Sequence, residues 1–248
     1  MNEIMIKNTA QLLVEKKPWI VLTGAGISTE SGIPDFRSPR TGLWEKLDPM
    51  EILSVRTLQE DPHTFYRIGL SVLLRFRDAE PNDAHRVLAR WEHEGLVEGI
   101  ITQNIDDLHR QAGSQKVLEI HGHLRTFLCL RCGSDTPTEE VAEKVKSQIP
   151  PVCKCGGVLR PRVILFGDML PPVFQQAEEL SHQHPLLVIG SSLQVSPANY
   201  LPSQAPTIGI INREPTPFDE KAAFVIHGGA VEILTALNTA LKELGRKQ

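Results

Sequence analysis

Six short apolar runs, separated by longer stretches with helical patterns, are the feature that most restricts the fold of this chain. The runs are rich in Val, Ile and Leu and lack the alternation of apolar and polar residues, as expected of strands covered on both faces. They lie at residues 19–22, 99–102, 117–120, 186–189, 208–211 and 224–226. Strands that alternate with helices predict an α/β fold with a doubly wound parallel sheet.

Three helices are predicted between these strands. One begins after Asn82, a typical N-cap residue, and ends near Gly95, and the others occupy residues 171–182 and 229–244. Two stretches interrupt the alternation: residues 34–76 begin with prolines and then become helical without a strand, and residues 122–162 contain every cysteine. We interpret both as insertions into the sheet domain.

Composition and charge narrow the function classes. The 248 residues carry a net charge of −4, with 41% hydrophobic and 23% charged residues, which is ordinary for one large domain or a domain plus a small module. The acidic balance argues against a protein that binds nucleic acid through bulk basicity. No apolar run approaches the roughly 20 residues that span a bilayer, and the first 17 residues lack a secretory signal pattern. We therefore expect a cytoplasmic location and no membrane partner.

The cysteines are clustered in a way that indicates a metal site. All four, Cys129, Cys132, Cys153 and Cys155, lie in two closely spaced pairs, close to a zinc-ribbon arrangement. Four thiolates form a closed tetrahedral shell with no open position for water, so the metal is expected to be structural. The paired spacing favours zinc over an iron–sulfur cluster. His123 is a spare candidate ligand that such a shell does not need. The second pair is tight, and the glycines at 156–157 are expected to relieve its turn.

A glycine-rich segment follows the first predicted strand directly. In this segment, residues 23–28, Gly24 permits a tight turn and Gly26 lets the backbone approach a pyrophosphate, although a plain glycine-rich turn is the alternative. The dehydrogenase fingerprint is not met: Thr29 stands at the third glycine position, and no second strand ends in an acidic residue about 20 positions on. Asp35, Phe36 and Arg37 follow, and they could cover a bound nucleotide.

Polar residues follow the next two predicted strands, where open α/β sheets bind ligands. Gln103, Asn104 and Asp106 come after the second strand, and His121 comes directly after the third. Asn104 and Asp106 could instead cap the following helix. His121 precedes a glycine that leaves its ring accessible, and a neutral imidazole accepts a proton at cellular pH. His121 is therefore the candidate general base, whereas His109 lacks this placement.

Together these motifs resemble the sirtuin family of NAD-dependent protein-lysine deacylases, of the prokaryotic type. The matching segments, in the family's order, are residues 24–28, 32–37, 103–106, 121–122, both cysteine pairs, 166–168 and 190–193. The resemblance implies a large Rossmann-like domain formed by residues 1–33, 81–121 and 163–248. It also implies a small domain made from a helical module, residues 34–80, and a zinc-ribbon module, residues 122–162.

The resemblance further implies a role for each matched position. NAD is the co-substrate, zinc is structural, and acetylated lysine of a protein is the partner that reacts. His121 and Asn104 are the expected catalytic residues, and Ile164, Phe166, Gly167 and Asp168 are the expected contacts of the acyl-lysine substrate. The expected NAD contacts are Gly24, Ala25, Gly26, Thr29, Asp35, Phe36, Arg37, Gln103, Asn104, Ile105, Asp106, His121, Gly190, Ser191, Ser192, Asn212, Arg213 and Ala230.

One departure from the family's pattern bears on the acyl preference. Sirtuins that remove acidic acyl groups carry Tyr-x-x-Arg, whereas this chain has Tyr66 with Gly69 at the position of the arginine, so we predict neutral acyl groups, acetyl first.

An ADP-ribosyltransferase or NAD glycohydrolase on the same scaffold is the alternative enzyme, and the intact segment 166–167 favours deacylation over it. A zinc-ribbon module that binds nucleic acid or protein is the alternative from another class, and the acidic net charge opposes it.

Overall fold

The computed structural model describes residues 2–34, 49–74 and 78–246, and its strands form two sheets. The strands are β1 (Trp19–Thr23), β2 (Val97–Thr102), β3 (Val117–Glu119), β4 (Gly122–Cys129), β5 (Asp135–Pro137), β6 (Leu159–Val163), β7 (Leu186–Ile189), β8 (Ile208–Asn212) and β9 (Phe224–His227). Six of them form one parallel sheet in the order β3-β2-β1-β7-β8-β9, and the other three form a sheet in the order β5-β4-β6. The predicted parallel sheet is confirmed.

Ten α-helices, three 3₁₀ segments and one π-helical turn surround the sheets in the described part of the chain. The α-helices are α1 (Glu3–Glu15), α2 (Pro49–Ile52), α3 (Val55–Glu60), α4 (Pro62–Thr64), α5 (Leu70–Leu74), α6 (Asp83–His93), α7 (Leu108–Gln111), α8 (Thr138–Lys144), α9 (Val173–Gln183) and α10 (Ala230–Gly245). A π-helical turn covers Phe65–Gly69, and 3₁₀ segments cover Ala25–Ser31, Ala198–Ser203 and Asp219–Lys221. None of these helices is both long and apolar enough to cross a membrane.

The parallel sheet has a hydrophobic core on each face, because alternate residues of a strand point to opposite sides. Trp19 and Val21 of β1 lie in one core together with α1, α6 and α10, whereas Ile20 and Leu22 lie in the other with α9. This double burial explains why the six strands appear in the sequence as continuous apolar runs.

The strand register brings several loops to one edge of the sheet. Thr23 at the end of β1 is level with Thr102 of β2 and with Ile189 of β7, and Thr102 is level with Glu119 of β3. The segments that follow these four strands therefore leave from the same edge. This is the edge where the sequence predicts the ligand site.

Helix α6 begins where the sequence predicts. The Asn82 side chain accepts hydrogen bonds from the backbone N–H groups of Ala84 and His85, and the His85 side chain in turn accepts from the Asn82 backbone. This reciprocal capping box satisfies donors that the first helical turn would leave unpaired. The helix ends before Gly95, whose φ of +72° is the left-handed conformation common after a helix C-terminus.

A third core joins the two inserted segments to each other. Phe65, Tyr66 and Leu70 of the helical segment pack against Phe127 of β4 and Leu159 of β6. The Tyr66 hydroxyl also donates a hydrogen bond of 2.5 Å to the Leu159 carbonyl. The described helical residues from Leu53 to Leu74 and strands β4 and β6 therefore share one hydrophobic core, which is separate from the two cores of the parallel sheet. The exact domain limits given above stay a prediction.

Candidate active site

The loop after β1 packs directly onto the end of β7 through glycines. The Gly26 N–H donates to the Gly190 carbonyl at 2.9 Å, and a Cβ added to Gly26 would lie 2.7 Å from the Gly190 Cα. A Cβ on Gly24 would lie 2.8 Å from the Gly190 oxygen. Gly24 itself is extended, with a φ of −124°, so the requirement for glycine comes from this close contact and not from a tight turn. Thr29 closes the loop with a hydrogen bond to the Gly26 carbonyl.

The residues after β2 are held by hydrogen bonds to the same loop. The Asn104 amide nitrogen donates to the Gly24 carbonyl at 3.3 Å and to Ser28 Oγ at 3.1 Å, which leaves Oδ1 as the end available to a ligand. The Ser28 hydroxyl donates to Asp106 Oδ2 at 2.7 Å, and burial raises the pKa of that carboxyl group. The Gln103 side chain reaches across the end of β1 and donates to Ser191 Oγ, after β7, at 2.9 Å.

His121 lies at the end of β3 with its ring oriented by a backbone carbonyl. Nδ1 is 2.9 Å from the Gln103 oxygen, and because a carbonyl can only accept, Nδ1 carries the proton. The other ring nitrogen, Nε2, is then the basic atom of the neutral ring. Burial lowers the pKa of His121 below its usual value, so the ring is neutral at pH 7. This is the protonation state that a general base requires.

A cavity of about 370 Å³ opens beside these residues, within the size range of ligand sites. Four of the predicted NAD contacts line it: Ala25, Asn104, Ile105 and Asp106. Other lining residues include Ser28, Ile33, Asp107 and Arg125. His121 does not line it, although the bond to Gln103 places the ring beside the residue that precedes Asn104. The predicted Asp35, Phe36 and Arg37 lie outside the described residues.

The remaining predicted NAD contacts follow the neighbouring strands. Ser191 is buried after β7, and Gly190 has a φ of +63°. Asn212 ends β8, and Arg213 lies 3.8 Å from Glu30 of the loop after β1. Ser192 and Ala230 complete this set, and Ala230 is the first residue of α10, whose N-cap Gly229 supplies no side-chain bond. These positions follow β7, β8 and β9, which lie on the other side of β1 from β2 and β3, and Gln103 reaches across to Ser191.

The predicted substrate segment follows β6 and bridges two parts of the chain. The Ile164 N–H donates to the His121 carbonyl, and Phe166 exchanges backbone hydrogen bonds with Leu53 and Val55. Phe166 is 43% exposed, and Gly167 has a φ of +92°, which favours glycine. The segment is thus fixed beside His121 while one large apolar side chain remains accessible.

Asp168 is engaged within its own loop. Its carboxylate accepts two hydrogen bonds from Arg160, at 2.6 and 3.2 Å, and one from the Leu165 N–H at 2.8 Å. Both side chains of this ion pair are mostly buried. The Asp168 carboxylate therefore stabilises the loop geometry, and its predicted contact with the substrate stays a prediction.

The four cysteines converge on one point. Their sulfur atoms all lie within 4.8 Å of one another, with 3.5 Å between Cys129 and Cys155 and 3.9 Å between Cys132 and Cys153. Tetrahedral zinc with Zn–S bonds of about 2.3 Å requires sulfur separations of about 3.8 Å. The cysteines are positioned for a structural zinc. The second cysteine pair has the glycine turn that the sequence predicts, since Gly156 has a φ of +79°, a left-handed backbone that favours glycine.

Comparison with known proteins assigns the family. A family model described as the Sir2 family matches residues 24–197, which is well over half of the chain.

The chain belongs to the Sir2 family.

Curated relatives and solved structures extend this Sir2 assignment along the chain. NAD-dependent protein deacetylase 2 of Caldanaerobacter subterraneus subsp. tengcongensis is 53% identical over 225 residues, which is 90% of each protein. NAD-dependent protein deacetylase 1 of Geobacillus kaustophilus is 46% identical and covers 94% of this chain and 97% of its own length. A solved structure of Sir2 with a p53 peptide and NAD⁺ superposes with a TM-score of 0.86 at 37% identity, over 97% of this chain and 99% of that one.

Sequence reasoning assigned no role to three polar residues of this Sir2 protein: Ser28, which lines the cavity, and His85 and His109, which do not line it. Ser28 bonds to both Asn104 and Asp106, and it lies 3.4 Å from the ring of His85. His109, which sequence reasoning set aside, lies 2.9 Å from the Thr23 hydroxyl. A polar residue inside an otherwise apolar helical pattern, such as His85 in α6, was the one signal that could have drawn attention to this cluster.

Proposed function

We propose that this chain is an NAD-dependent protein-lysine deacetylase. It converts acetylated lysine of a protein, NAD⁺ and water into free lysine, nicotinamide and O-acetyl-ADP-ribose. Membership of the Sir2 family supports this function, as do relatives named NAD-dependent protein deacetylase that match nearly the whole chain. A Sir2 structure bound to an acetylated peptide also superposes on 97% of the chain, with a TM-score of 0.85.

The single observation that carries the proposal is the orientation of His121 at the strand end next to Asn104. The Gln103 carbonyl holds the Nδ1 proton, and burial keeps the ring neutral, so Nε2 is free to take a proton. In the deacetylase reaction a ribose hydroxyl must lose its proton before it can attack the carbon of the acyl group. We assign this proton transfer to His121.

The remaining predicted contacts are part of the same proposal. Asn104 and Asp106 bind the nicotinamide end of NAD, because both line the cavity and are held in place by Ser28. The diphosphate, riboses and adenosine are assigned to the other strand ends, at Gly24, Ala25, Gly26, Thr29, Gln103, Ile105, Gly190, Ser191, Ser192, Asn212, Arg213 and Ala230, and to Asp35, Phe36 and Arg37.

The acyl-lysine substrate is assigned to the segment after β6. A peptide can add as a strand beside this segment, and Ile164, Phe166 and Gly167 would line the path of the acyl-lysine. The hydrogen bond between Ile164 and the His121 carbonyl supports this assignment, because it connects the segment to the base. Asp168 contributes through the Arg160 ion pair that holds the loop.

The preference for a neutral acyl group has a structural basis in the helical segment. A Cβ on Gly69 would lie 2.8 Å from Leu53 Cδ2 and 3.1 Å from Ile52 Cγ2, so a larger residue at this position would require the Leu53 side chain to move. Tyr66 is buried, and its hydroxyl is bonded to the Leu159 carbonyl. The segment therefore offers no Tyr-x-x-Arg pair to a distal carboxylate, which favours acetyl over succinyl groups.

The organisation and location proposed from the sequence accompany this function. The NAD-binding domain comprises residues 1–33, 81–121 and 163–248, with the helical module at 34–80 and the zinc-ribbon module at 122–162. The shared core of the two modules supports this division. We propose a cytoplasmic location.

One assay tests the function. The protein is incubated with NAD⁺ and an acetyl-lysine peptide, and nicotinamide, deacetylated peptide and O-acetyl-ADP-ribose are quantified by mass spectrometry. Equal amounts of all three are expected, and a succinylated twin of the peptide should react more slowly. Nicotinamide without deacetylated peptide would identify an NAD glycohydrolase instead. Faster reaction of the succinylated peptide would contradict the acyl preference.

A further inference from the structure

Two buried histidines lie behind the residues assigned to nicotinamide. His85 of α6 is fully buried and His109 of α7 is 2% exposed, and their rings meet edge to face with centroids 4.9 Å apart. Burial lowers the pKa of His85 to about 4 and lowers the pKa of His109 well below its usual value. Both rings are therefore neutral at pH 7, and each carries a single N–H group.

The capping box of α6 decides which nitrogen of His85 carries that proton. The Asn82 backbone N–H, which can only donate, lies 3.3 Å from Nδ1. Nδ1 is also 3.0 Å from Asn82 Oδ1, but that oxygen already accepts from the backbone N–H groups of Ala84 and His85. The arrangement that satisfies the Asn82 N–H leaves Nδ1 unprotonated. The proton of the neutral ring is then on Nε2, which faces Ser28.

The Ser28 hydroxyl has one proton to donate and two lone pairs that accept. Asn104 Nδ2, at 3.1 Å, and His85 Nε2, at 3.4 Å, supply one donor to each lone pair. The hydroxyl proton is then directed to Asp106 Oδ2 at 2.7 Å. His85 thus determines, through Ser28, the direction of the hydrogen bond that the Asp106 carboxylate receives.

His109 supports the neighbouring residue in the same way. Its Nε2 lies 2.9 Å from the Thr23 hydroxyl, which donates to the Thr102 hydroxyl at 2.9 Å, and Thr102 in turn accepts from the Asn104 backbone N–H at 3.1 Å. Nδ1 of His109 is buried without a partner among the described residues. A buried polar atom without a hydrogen-bond partner costs stability, so His109 carries a cost to the fold.

We propose that His85 and His109 are positioning residues for the carboxamide of nicotinamide. The two neutral rings anchor hydrogen bonds that run outward through Ser28, Thr23 and Thr102 and orient the side chains of Asn104 and Asp106 toward the cavity. This inference rests on the proposed function and adds an inner layer to its nicotinamide site. The ligand group it serves is a carboxamide, because Asn104 and Asp106 line the cavity with an amide oxygen and a carboxylate, and both of these accept hydrogen bonds from an amide N–H group.

Three variants test the role of His85. His85→Ala removes the donor to Ser28, whereas His85→Gln retains an amide N–H near the position of Nε2 and an oxygen that can accept from the Asn82 N–H. Leu88→Ala, on the same helix and in the apolar core, controls for lost stability. The measurements are the inhibition constant of nicotinamide in the peptide assay and the Kd of ADP-ribose by calorimetry.

We expect His85→Ala to weaken nicotinamide inhibition about tenfold while ADP-ribose affinity changes less than about threefold. His85→Gln should restore most of the nicotinamide inhibition. Leu88→Ala should lower the unfolding temperature without changing the ratio of the two constants. If His85→Ala does not fold, the same comparison is made between His109→Asn and His109→Gln. Only the glutamine retains a donor near the position of Nε2, from which His109 contacts Thr23.

Two results overturn the inference. Nicotinamide inhibition that is unchanged in the histidine variants would show that the rings only fill space. Equal losses of nicotinamide inhibition and ADP-ribose affinity, matching those of Leu88→Ala, would show a structural role alone. A wild-type protein that binds ADP-ribose but releases no nicotinamide from NAD⁺ would instead contradict the proposed function, and the two failures are therefore distinguishable.

Discussion

Replacement of Gly190 by alanine tests whether the contact between the two glycine segments shapes the nucleotide site. Gly190 has a φ of +63°, and a Cβ there would lie 2.4 Å from the Ile27 nitrogen and 2.6 Å from the Gly26 carbonyl carbon. Ordinary contacts begin at 3.4 Å, so the loop after β1 must move away by about 1 Å. This loop carries the predicted contacts with the NAD diphosphate.

The expected loss of stability has two parts. A left-handed backbone costs a residue with a Cβ about 1–2 kcal/mol, and forced overpacking of a tight contact costs about 1–3 kcal/mol more. The matched control is Gly95→Ala, because Gly95 has a φ of +72° but nothing within 4 Å of an added Cβ. Gly95→Ala therefore carries the backbone strain alone, about 1–2 kcal/mol, against about 2–5 kcal/mol for Gly190→Ala.

Thermal unfolding followed by circular dichroism, with and without ADP-ribose, measures both effects. At roughly 2–4 °C per kcal/mol for a chain of this size, Gly190→Ala should unfold about 10 °C below the wild type and Gly95→Ala about 4 °C below it. Saturating ADP-ribose should raise the unfolding temperature of the wild type and of Gly95→Ala, but not of Gly190→Ala. Equal unfolding temperatures and equal stabilisation by ADP-ribose in both variants would refute the reasoning.

Three further predictions concern the base, the metal and the substrate loop. His121→Ala should reduce peptide turnover by at least about 10²-fold. The wild-type kcat/KM should decline only below about pH 6.5, because burial lowers the pKa of His121 and the ring stops acting as a base when it is protonated as the pH falls through that pKa. Cys129→Ser should lower the zinc content measured by atomic absorption and lower the unfolding temperature, since an incomplete thiolate shell binds zinc weakly. Asp168→Asn should raise the KM for the peptide about tenfold with little change in nicotinamide inhibition, because it breaks the charged bonds from Arg160 that hold the loop.

Each of these expectations has a result that contradicts it. Undiminished turnover in His121→Ala, or a rate that stays constant well below the pKa range of a buried histidine, would remove His121 as the base. A fully stable Cys129→Ser protein with unchanged zinc content would argue against a structural metal at the four sulfurs. An Asp168→Asn variant with an unchanged KM would show that the Arg160 pair does not position the substrate loop.

Local patterns were sufficient for the elements of the large sheet and for the metal ligands. The six apolar runs became the six parallel strands, and the Asn82 cap began α6, because a continuous apolar run and an N-cap residue can both be recognised in a short stretch of sequence. The cysteine spacing identified the sulfur cluster for the same reason. Helix α1 was not anticipated, although Ile6, Ala10 and Leu13 already lie at helical spacing.

The sequence by itself determined the parallel sheet, the edge at which the ligand site is predicted, the candidate base and the four sulfurs, since each depends on a short motif or a repeating pattern. Only the tertiary structure decided that Gly24 and Gly26 are needed for their contact with Gly190, and that the Asp168 carboxylate pairs with Arg160. It also brought the rings of His85 and His109 together, next to Ser28 and Thr23. These contacts join residues that are separated along the chain, and their distances depend on how the strands and helices pack.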